Sequence, residues 1–429
     1  MKKRIIKILA FLARRVIKRY QPKIVAISGS VGKTGTKEVV ALVLSKKFRV
    51  GSSLKNYNNE FGLPLSILGQ ESPGKSVGGW LRILFLAGKL LIIKDKKYPE
   101  VLVLELGVDR PGDMDYLLSI VEPDIGVLTN ISQSHIEYFG SVDEILKEKS
   151  KLLKAVKKDG LAVLNYDNKY LRDLSEEIKI RQSSYGLRLG ADILAKDLNF
   201  IFPENLNQDI FCGLNFKIEY QGSVLPLKLN HLISLSQLYA TLASIAVALD
   251  LGLNLLDISQ ALESFLPLPG RMRVLPGIKN SLLIDDTYNS SPESSLNALK
   301  TLEKINRSQG RKIVIFGDIL ELGSYSEEGH RLVGEEMAKI GLDLICLIGE
   351  KARDIGRGAI KAGFDKDRIF NFASKEEARS FLKNRIEEFD LILFKASQGV
   401  RLEKLVKEFL VEPQKASELL VRQEKFWQD

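Results

Sequence analysis

The chain has 429 residues, enough for two or three domains, and 45% of them are hydrophobic, enough to fill real cores. Its two cysteines, Cys212 and Cys346, stand far apart in no metal-ligating spacing, which argues against a disulfide framework or a zinc site and for a reducing compartment such as the cytoplasm. The net charge of +9 is local: residues 1–23 hold nine Lys/Arg and no Asp or Glu, so the rest of the chain is neutral in sum and a nucleic-acid-binding surface is not indicated.

Residues 1–22 place Ile5, Ile8, Leu9, Leu12 and Val16 at helical spacing among those cations and read as a basic amphipathic helix. The longest uncharged run, Ile8 to Ala13, is too short to span a bilayer, and no signal-peptide cleavage pattern follows. Two readings stay open. Residues 1–20 lie on an anionic membrane surface, or the helix packs on the next domain with its basic face solvated.

The stretch Lys23 to Glu38, KIVAISGSVGKTGTKE, reads as strand, glycine loop and helix, the context a phosphate-binding loop requires. Gly29, Ser30 and Gly32 let backbone N–H groups approach phosphate, and a helix start adds a favourable dipole. Lys33 supplies a point charge and Thr34 a hydroxyl for Mg²⁺. Ile27 stands where the general pattern has its first glycine. The loop KNYNNEFGLP (55–64) carries Asn58 and Asn59, which suit polar substrate contacts or simple turn chemistry. Trp80 to Ile93 is strongly apolar and too short to cross a membrane; it predicts a helix buried in this chain or covered by a partner, with an interfacial helix as the alternative.

Val101 to Leu104 predicts a buried strand that ends in Glu105, a carboxylate placed where α/β folds bind ligands and, opposite a phosphate loop, a candidate Mg²⁺ ligand. Ile125 to Leu128 predicts a third strand, followed by Thr129, Asn130 and His135. The helix Val142 to Val156 carries Lys147, Lys149, Lys151 and Lys154, a pattern that usually marks a solvated face. Residues 184–229 alternate and read as a β-rich extension, and Leu235 to Leu251 predicts a long apolar helix. Beyond Pro267-Leu-Pro-Gly-Arg271, strands at 282–284, 312–316, 344–348 and 391–394 alternate with helices. The fold class is therefore α/β: residues 23–268 form a P-loop ATPase central domain with a parallel sheet and the β-rich extension, and 269–429 a Rossmann-like C-terminal domain.

GSVGKT (29–34), NYNNEFGLP (56–64), ELG (105–107), SHIEYFGSVDEILKEKSKL (134–152), LPGRM (268–272), DDTYNSSPES (285–294), FGDILELG (316–323) and FKASQG (394–399) occur in an order that resembles the Mur ligases, most closely the MurF type. The resemblance covers about residues 23 to 412. It implies ATP-dependent amide-bond formation: a substrate carboxylate becomes an acyl phosphate, and an amine displaces phosphate. For the MurF type it implies a UDP-sugar peptide and D-alanyl-D-alanine as substrates, in peptidoglycan precursor synthesis.

Carried onto this chain, the resemblance implies Lys33 and Thr34 on the phosphates, Glu105 on Mg²⁺ and His135 on a second Mg²⁺. It implies a carbamylated lysine at Lys149, Arg271 reaching the nucleotide from the linker, and Asp286 on the ribose. Tyr288 and Asn289 would lie by the base, and Asp318 and Lys395 where the amine substrate binds. Three departures stand out. A basic stretch of about 22 residues stands in place of the N-terminal domain that grips the UDP-sugar in the MurF type, which opens the nucleotide-sugar substrate to question and leaves a partner chain as a candidate source of that domain. The family's H-N-x-x-N is here Ser236-Gln237-Leu238-Tyr239-Ala240, and its KGSR is Lys395-Ala396-Ser397-Gln398. Rival readings are a folylpolyglutamate- or cyanophycin-like ligase, and a non-catalytic nucleotide-binding protein held at the membrane by its N-terminal helix.

Overall fold

Short apolar runs bounded by turn residues become parallel strands covered on both faces, because helical crossovers leave neither face to water. A computed structural model describes residues 2–53, 57–134, 136–202, 212–305 and 309–423. The first sheet contains β1 (Lys23–Ser28), β2 (Val50–Ser52), β3 (Val101–Glu105), β4 (Ile125–Leu128), β5 (Leu161–Asn165), β6 (Arg181–Gly186), β7 (Ile193–Ile201), β8 (Gly213–Tyr220) and β9 (Ser223–Asn230). Their order is β2-β3-β1-β4-β5-β6-β7-β8-β9. Pairings as far as β7 are parallel; β7, β8 and β9 pair antiparallel, so the β-rich extension continues the same sheet.

The strand period of two sends alternate residues of β1 to opposite layers. Val25 and Ile27 join a core shared with α2 (Lys33–Leu44), whereas Ile24 and Ala26 join the opposite one. That second core takes residues from α1 (Lys2–Tyr20), α3 (Gly62–Ile67), α4 (Val77–Ile92), α5 (Asp113–Leu118), α6 (Ile136–Phe139), α7 (Val142–Lys154) and α8 (Lys169–Ser175). On the first side, α9 (Leu235–Asp250) and α10 (Leu255–Glu263) pack with α2. Ser234 and Gln237 close a capping box that starts α9.

Helix α1 is a packed element. Leu9, Ala10, Ala13 and Val16 are buried with Ile24 and Leu102, which takes up the apolar stripe of the predicted amphipathic helix. Helix α4 departs from expectation: only Ile83 and Ala87 are buried, while Val77, Leu81, Phe85 and Ile92 face outward. It packs against α1, while α3 meets β2 and β3.

The second sheet comprises β10 (Arg273–Pro276), β11 (Leu282–Asp286), β12 (Lys312–Gly317), β13 (Leu344–Ile348), β14 (Ile369–Phe372) and β15 (Leu391–Lys395). They run in the order β10-β11-β15-β12-β13-β14, with β10 alone antiparallel. Helices α11 (Pro292–Lys304) and α12 (Ser326–Met337) cover one face.

Candidate functional site

In the first sheet β1 lies between β3 and β4, and the carboxyl ends of these strands open towards the second domain. This is the position at which open α/β sheets bind ligands. The turn from β1 into α2 passes through Gly29 (φ 144°) and Gly32 (φ 89°). A Cβ on Gly29 would meet Thr129 Oγ1 at 2.1 Å, so only glycine fits there. Gly32 caps α2 without a side chain, leaving the first-turn N–H groups for an anion. Lys33 Nζ donates to the carbonyls of Gly29 (2.8 Å) and Ser30 (3.2 Å), which curls the side chain over the loop. Burial holds its pKa below the usual lysine value, against the attraction of Glu105 and Asp109.

A cavity of about 310 Å³ lies over this loop and spans both domains. Ser30, Lys33, Thr34, Asn58, Glu105 and Asp109 line it from one side, and Arg271, Tyr288, Asn289, Leu320 and Gln398 from the other. Glu105 closes β3 and is buried; Oε1 accepts from Asn58 Nδ2 at 3.0 Å, whereas Oε2 has no hydrogen-bond partner. An unsatisfied buried carboxylate oxygen beside a phosphate loop fits a divalent cation. Among the described residues no three His, Cys, Asp or Glu side chains cluster. A cation here would therefore rest on Glu105, the Thr34 hydroxyl and phosphate oxygens of the nucleotide, the sparse protein donor set typical of Mg²⁺.

Arg271 reaches across the seam: Nη2 donates to Thr34 Oγ1 at 3.2 Å, and the guanidinium stacks 4.1 Å from the Tyr288 ring centroid. Gln237 explains the departure at the start of α9. Its Oε1 accepts from Ile233 and Ser234, and its Nε2 donates to the Arg271 carbonyl at 2.9 Å, tying the linker to the helix. An adjoining cleft holds Ser236, Phe265, Pro267, Asp286, Tyr288, Asn289 and Lys395.

Lys149 is fully buried, unlike Lys147, which is exposed beside Glu144, and Lys151, which bridges Asp115 and Glu148. A solvated face therefore describes Lys147 but not Lys149. Lys149 Nζ donates to the Val108 carbonyl at 3.1 Å. Burial, aided by the charge of Lys33, pushes its pKa down to about 7.

Asn59 Oδ1 accepts from Phe61 and Gly62, so it shapes the turn into α3 while Asn58 meets the cavity. Lys395 is buried, donating to Asp286 Oδ2 (2.6 Å) and the Asn289 carbonyl (3.1 Å), so it orders the nucleotide-side residues. Asp318 Oδ1 accepts from Ala352 N at 2.8 Å, and Lys395 lines the adjoining cleft. His135 lies outside the described residues.

Two further contacts had no sequence signal as pairs. Asn130 Nδ2 donates to Glu293 Oε1 at 2.6 Å across the domains. Arg422 lies 5.3 Å from the Tyr288 ring centroid, donates to the carbonyls of Thr287 and Tyr288, and pairs with the buried Glu403. The pairing of Asn130 with Glu293 spans 163 positions, which no local pattern discloses.

Residues 87–248 match the Mur ligase middle domain, and 270–398 the Mur ligase, glutamate ligase domain. A Synechocystis UDP-N-acetylmuramoyl-tripeptide–D-alanyl-D-alanine ligase is 31% identical over 395 residues, 92% of this chain and 76% of the relative. The chain belongs to the Mur ligase family. A Mur ligase of this make-up is an ATP-dependent acid–amino-acid ligase. The Bacillus subtilis ligase of the same name is 27% identical over 94% of this chain and 79% of its own length. MurF from Acinetobacter baumannii superposes with a TM-score of 0.78 at 27% identity, covering 93% of this chain and 79% of that one. Thermotoga maritima MurF in complex with ADP gives 0.76 at 29% identity, covering 96% and 84%.

Proposed function

We propose that this Mur ligase joins D-alanyl-D-alanine to a UDP-N-acetylmuramoyl-tripeptide at the expense of ATP. The observation that carries the reading is the cavity at the domain seam, where Lys33, the unpartnered oxygen of Glu105 and Arg271 converge on one phosphate loop. The substrate assignment rests on the MurF-named relatives, which align along most of this chain. The working division is 23–268 for ATP and the carboxylate substrate and 269–429 for the amine.

In this reading the α2 N-terminus and Lys33 hold the terminal phosphates, and Arg271 offsets negative charge that builds as phosphate transfers. A bound Mg²⁺ would supply further charge neutralisation, held by Thr34 and Glu105, with His135 the candidate for a second ion. Asp286 and Asn289, fixed by Lys395, border the nucleotide, and Tyr288 is held by Arg271 and Arg422. The amine approaches past Leu320 and Gln398. Asp318 acts by shaping the loop that precedes Leu320.

Lys149 is the candidate for carbamylation. Only a neutral amine attacks CO₂, and a pKa of about 7 leaves a large neutral fraction at physiological pH. The amine nitrogen bonds the CO₂ carbon and gives up a proton to solvent, so the product is an anion near Lys33.

Phosphate release measured with ATP, UDP-N-acetylmuramoyl-tripeptide and D-alanyl-D-alanine tests the function. Release should require all three. Release that is indifferent to the dipeptide, or absent with it, would remove this substrate pair.

A further inference from the structure

Helices α1 and α4 lie side by side, and their carboxyl ends are tied together: Tyr20 Oη donates to the carbonyls of Leu90 and Ile93, and Arg19 Nη2 to that of Ile92. The inward stripe of α1 is spent on the core, yet the pair leaves an apolar ridge outside. Val77, Leu81, Phe85 and Ile92 recur at helical spacing along α4 and are exposed, Leu81 by 63% and Phe85 by 73%. Ile8 and Phe11 on α1 are half exposed. Isolated exposed apolar residues need no explanation, but four at helical spacing on one helix, with two more on its neighbour, do.

Charge decides what covers it. Neither α1 nor α4 contains an Asp or Glu. Arg4, Lys7, Arg15 and Lys18 are exposed on α1 and Arg82 and Lys89 on α4, and Lys94, Lys96 and Lys97 follow with Asp95 between them. A second copy docked about a two-fold axis through this patch would set cations against cations. An anionic lipid surface satisfies both features, since apolar side chains enter the acyl boundary while Lys and Arg stay at headgroup level. Among the described residues no helix is long and apolar enough to cross a membrane, so the contact is peripheral.

We propose that the α1–α4 face is a docking surface for an anionic bilayer, with the α4 ridge inserted and the α1 cations on the headgroups. The seam cavity is built at the carboxyl ends of the strands from other elements, so docking and ATP binding can proceed together.

Flotation of the full chain with phosphatidylcholine vesicles, with and without phosphatidylglycerol, tests the proposal. The chain should float only with the anionic vesicles and be released in about 1 M salt, where the screening length falls to ~3 Å. The double variant Leu81→Ser/Phe85→Ser should weaken vesicle binding by at least about tenfold, because two buried apolar side chains are lost. Both positions are exposed, so its thermal midpoint and ATP binding should match wild type. Lys7→Glu/Lys18→Glu/Lys89→Glu should abolish the response to phosphatidylglycerol. Absence of binding by the wild type, or equal binding by the serine variant, overturns the proposal. So does a wild-type dimer that the serine variant splits into monomers without any vesicle binding, which would assign the ridge to a second copy.

Discussion

Arg271 Nη2 donates to Thr34 Oγ1 at 3.2 Å, joining the linker to the phosphate loop across 237 positions of sequence. The same guanidinium stacks on Tyr288, and its main-chain carbonyl is held by Gln237. One residue thus couples the β1–α2 loop, the start of α9 and the second domain. Arg271→Ala should lower turnover by about 10²-fold or more, the usual cost of removing a charge preorganised for a developing anion. Arg271→Lys should recover little, because an ammonium neither stacks nor forks in the same way. Steady-state phosphate release checks both; near-wild-type turnover by the lysine variant would mean that bare charge suffices.

Lys33→Ala should abolish substrate-dependent ATP turnover and leave the thermal midpoint nearly unchanged. Lys33 bonds only to loop carbonyls, and removing a desolvated cation offsets the lost hydrogen bonds. Turnover that persists would show that the loop does not bind phosphate.

Lys149→Ala should lose activity and regain part of it with added short carboxylic acids, which restore an anion in the emptied space. Wild type stripped of CO₂ should recover with bicarbonate. An alanine variant as active as wild type would leave Lys149 a structural residue.

The same lysine predicts a pH effect on stability. Its pKa is about 7 when folded and near the usual 10.5 when unfolded. Below about pH 7 both states are protonated and the burial cost is fully present. Between about 7 and 10.5 only the unfolded chain holds the proton, so stability from this group rises with pH by about 1.4 kcal/mol per unit. Urea midpoints in CO₂-free buffer should climb from pH 7 to 9 in wild type more steeply than in Lys149→Met. Parallel curves would show that Lys149 keeps its proton throughout.

Helix α1 is predicted to be a structural necessity. Leu9 is fully buried, and Leu9→Ala should cost about 2–5 kcal/mol, the range for core truncations. Removing residues 2–20 would uncover Ile24, Leu102 and their neighbours, so the shortened chain should aggregate or melt early. A shortened chain with an unchanged melting curve would refute the packing of α1.

The sequence by itself determined the strand–loop–helix of the phosphate site, the buried strand ending in Glu105 and the alternating strands and helices of both sheets. These are local: a run such as Val101–Leu104 is apolar because both faces are covered, and Gly29 has no side chain because Thr129 leaves no room. Short, half-exposed strands such as β2 and β14 were not legible, since no apolar run marks them. Only the tertiary structure decided which lysine of α7 is buried, for Lys147 and Lys149 differ by a 200° rotation about the helix and not by composition. It separated Asn58 from Asn59, paired Lys395 with Asp286 beside the adjoining cleft and set Asp318 against Ala352 N. It also gave the apolar stripe of α1 to the core and left that of α4 outside. The more apolar helix, α4, is the one left outside; burial is decided by how the layers assemble, not by the apolar content of either helix alone.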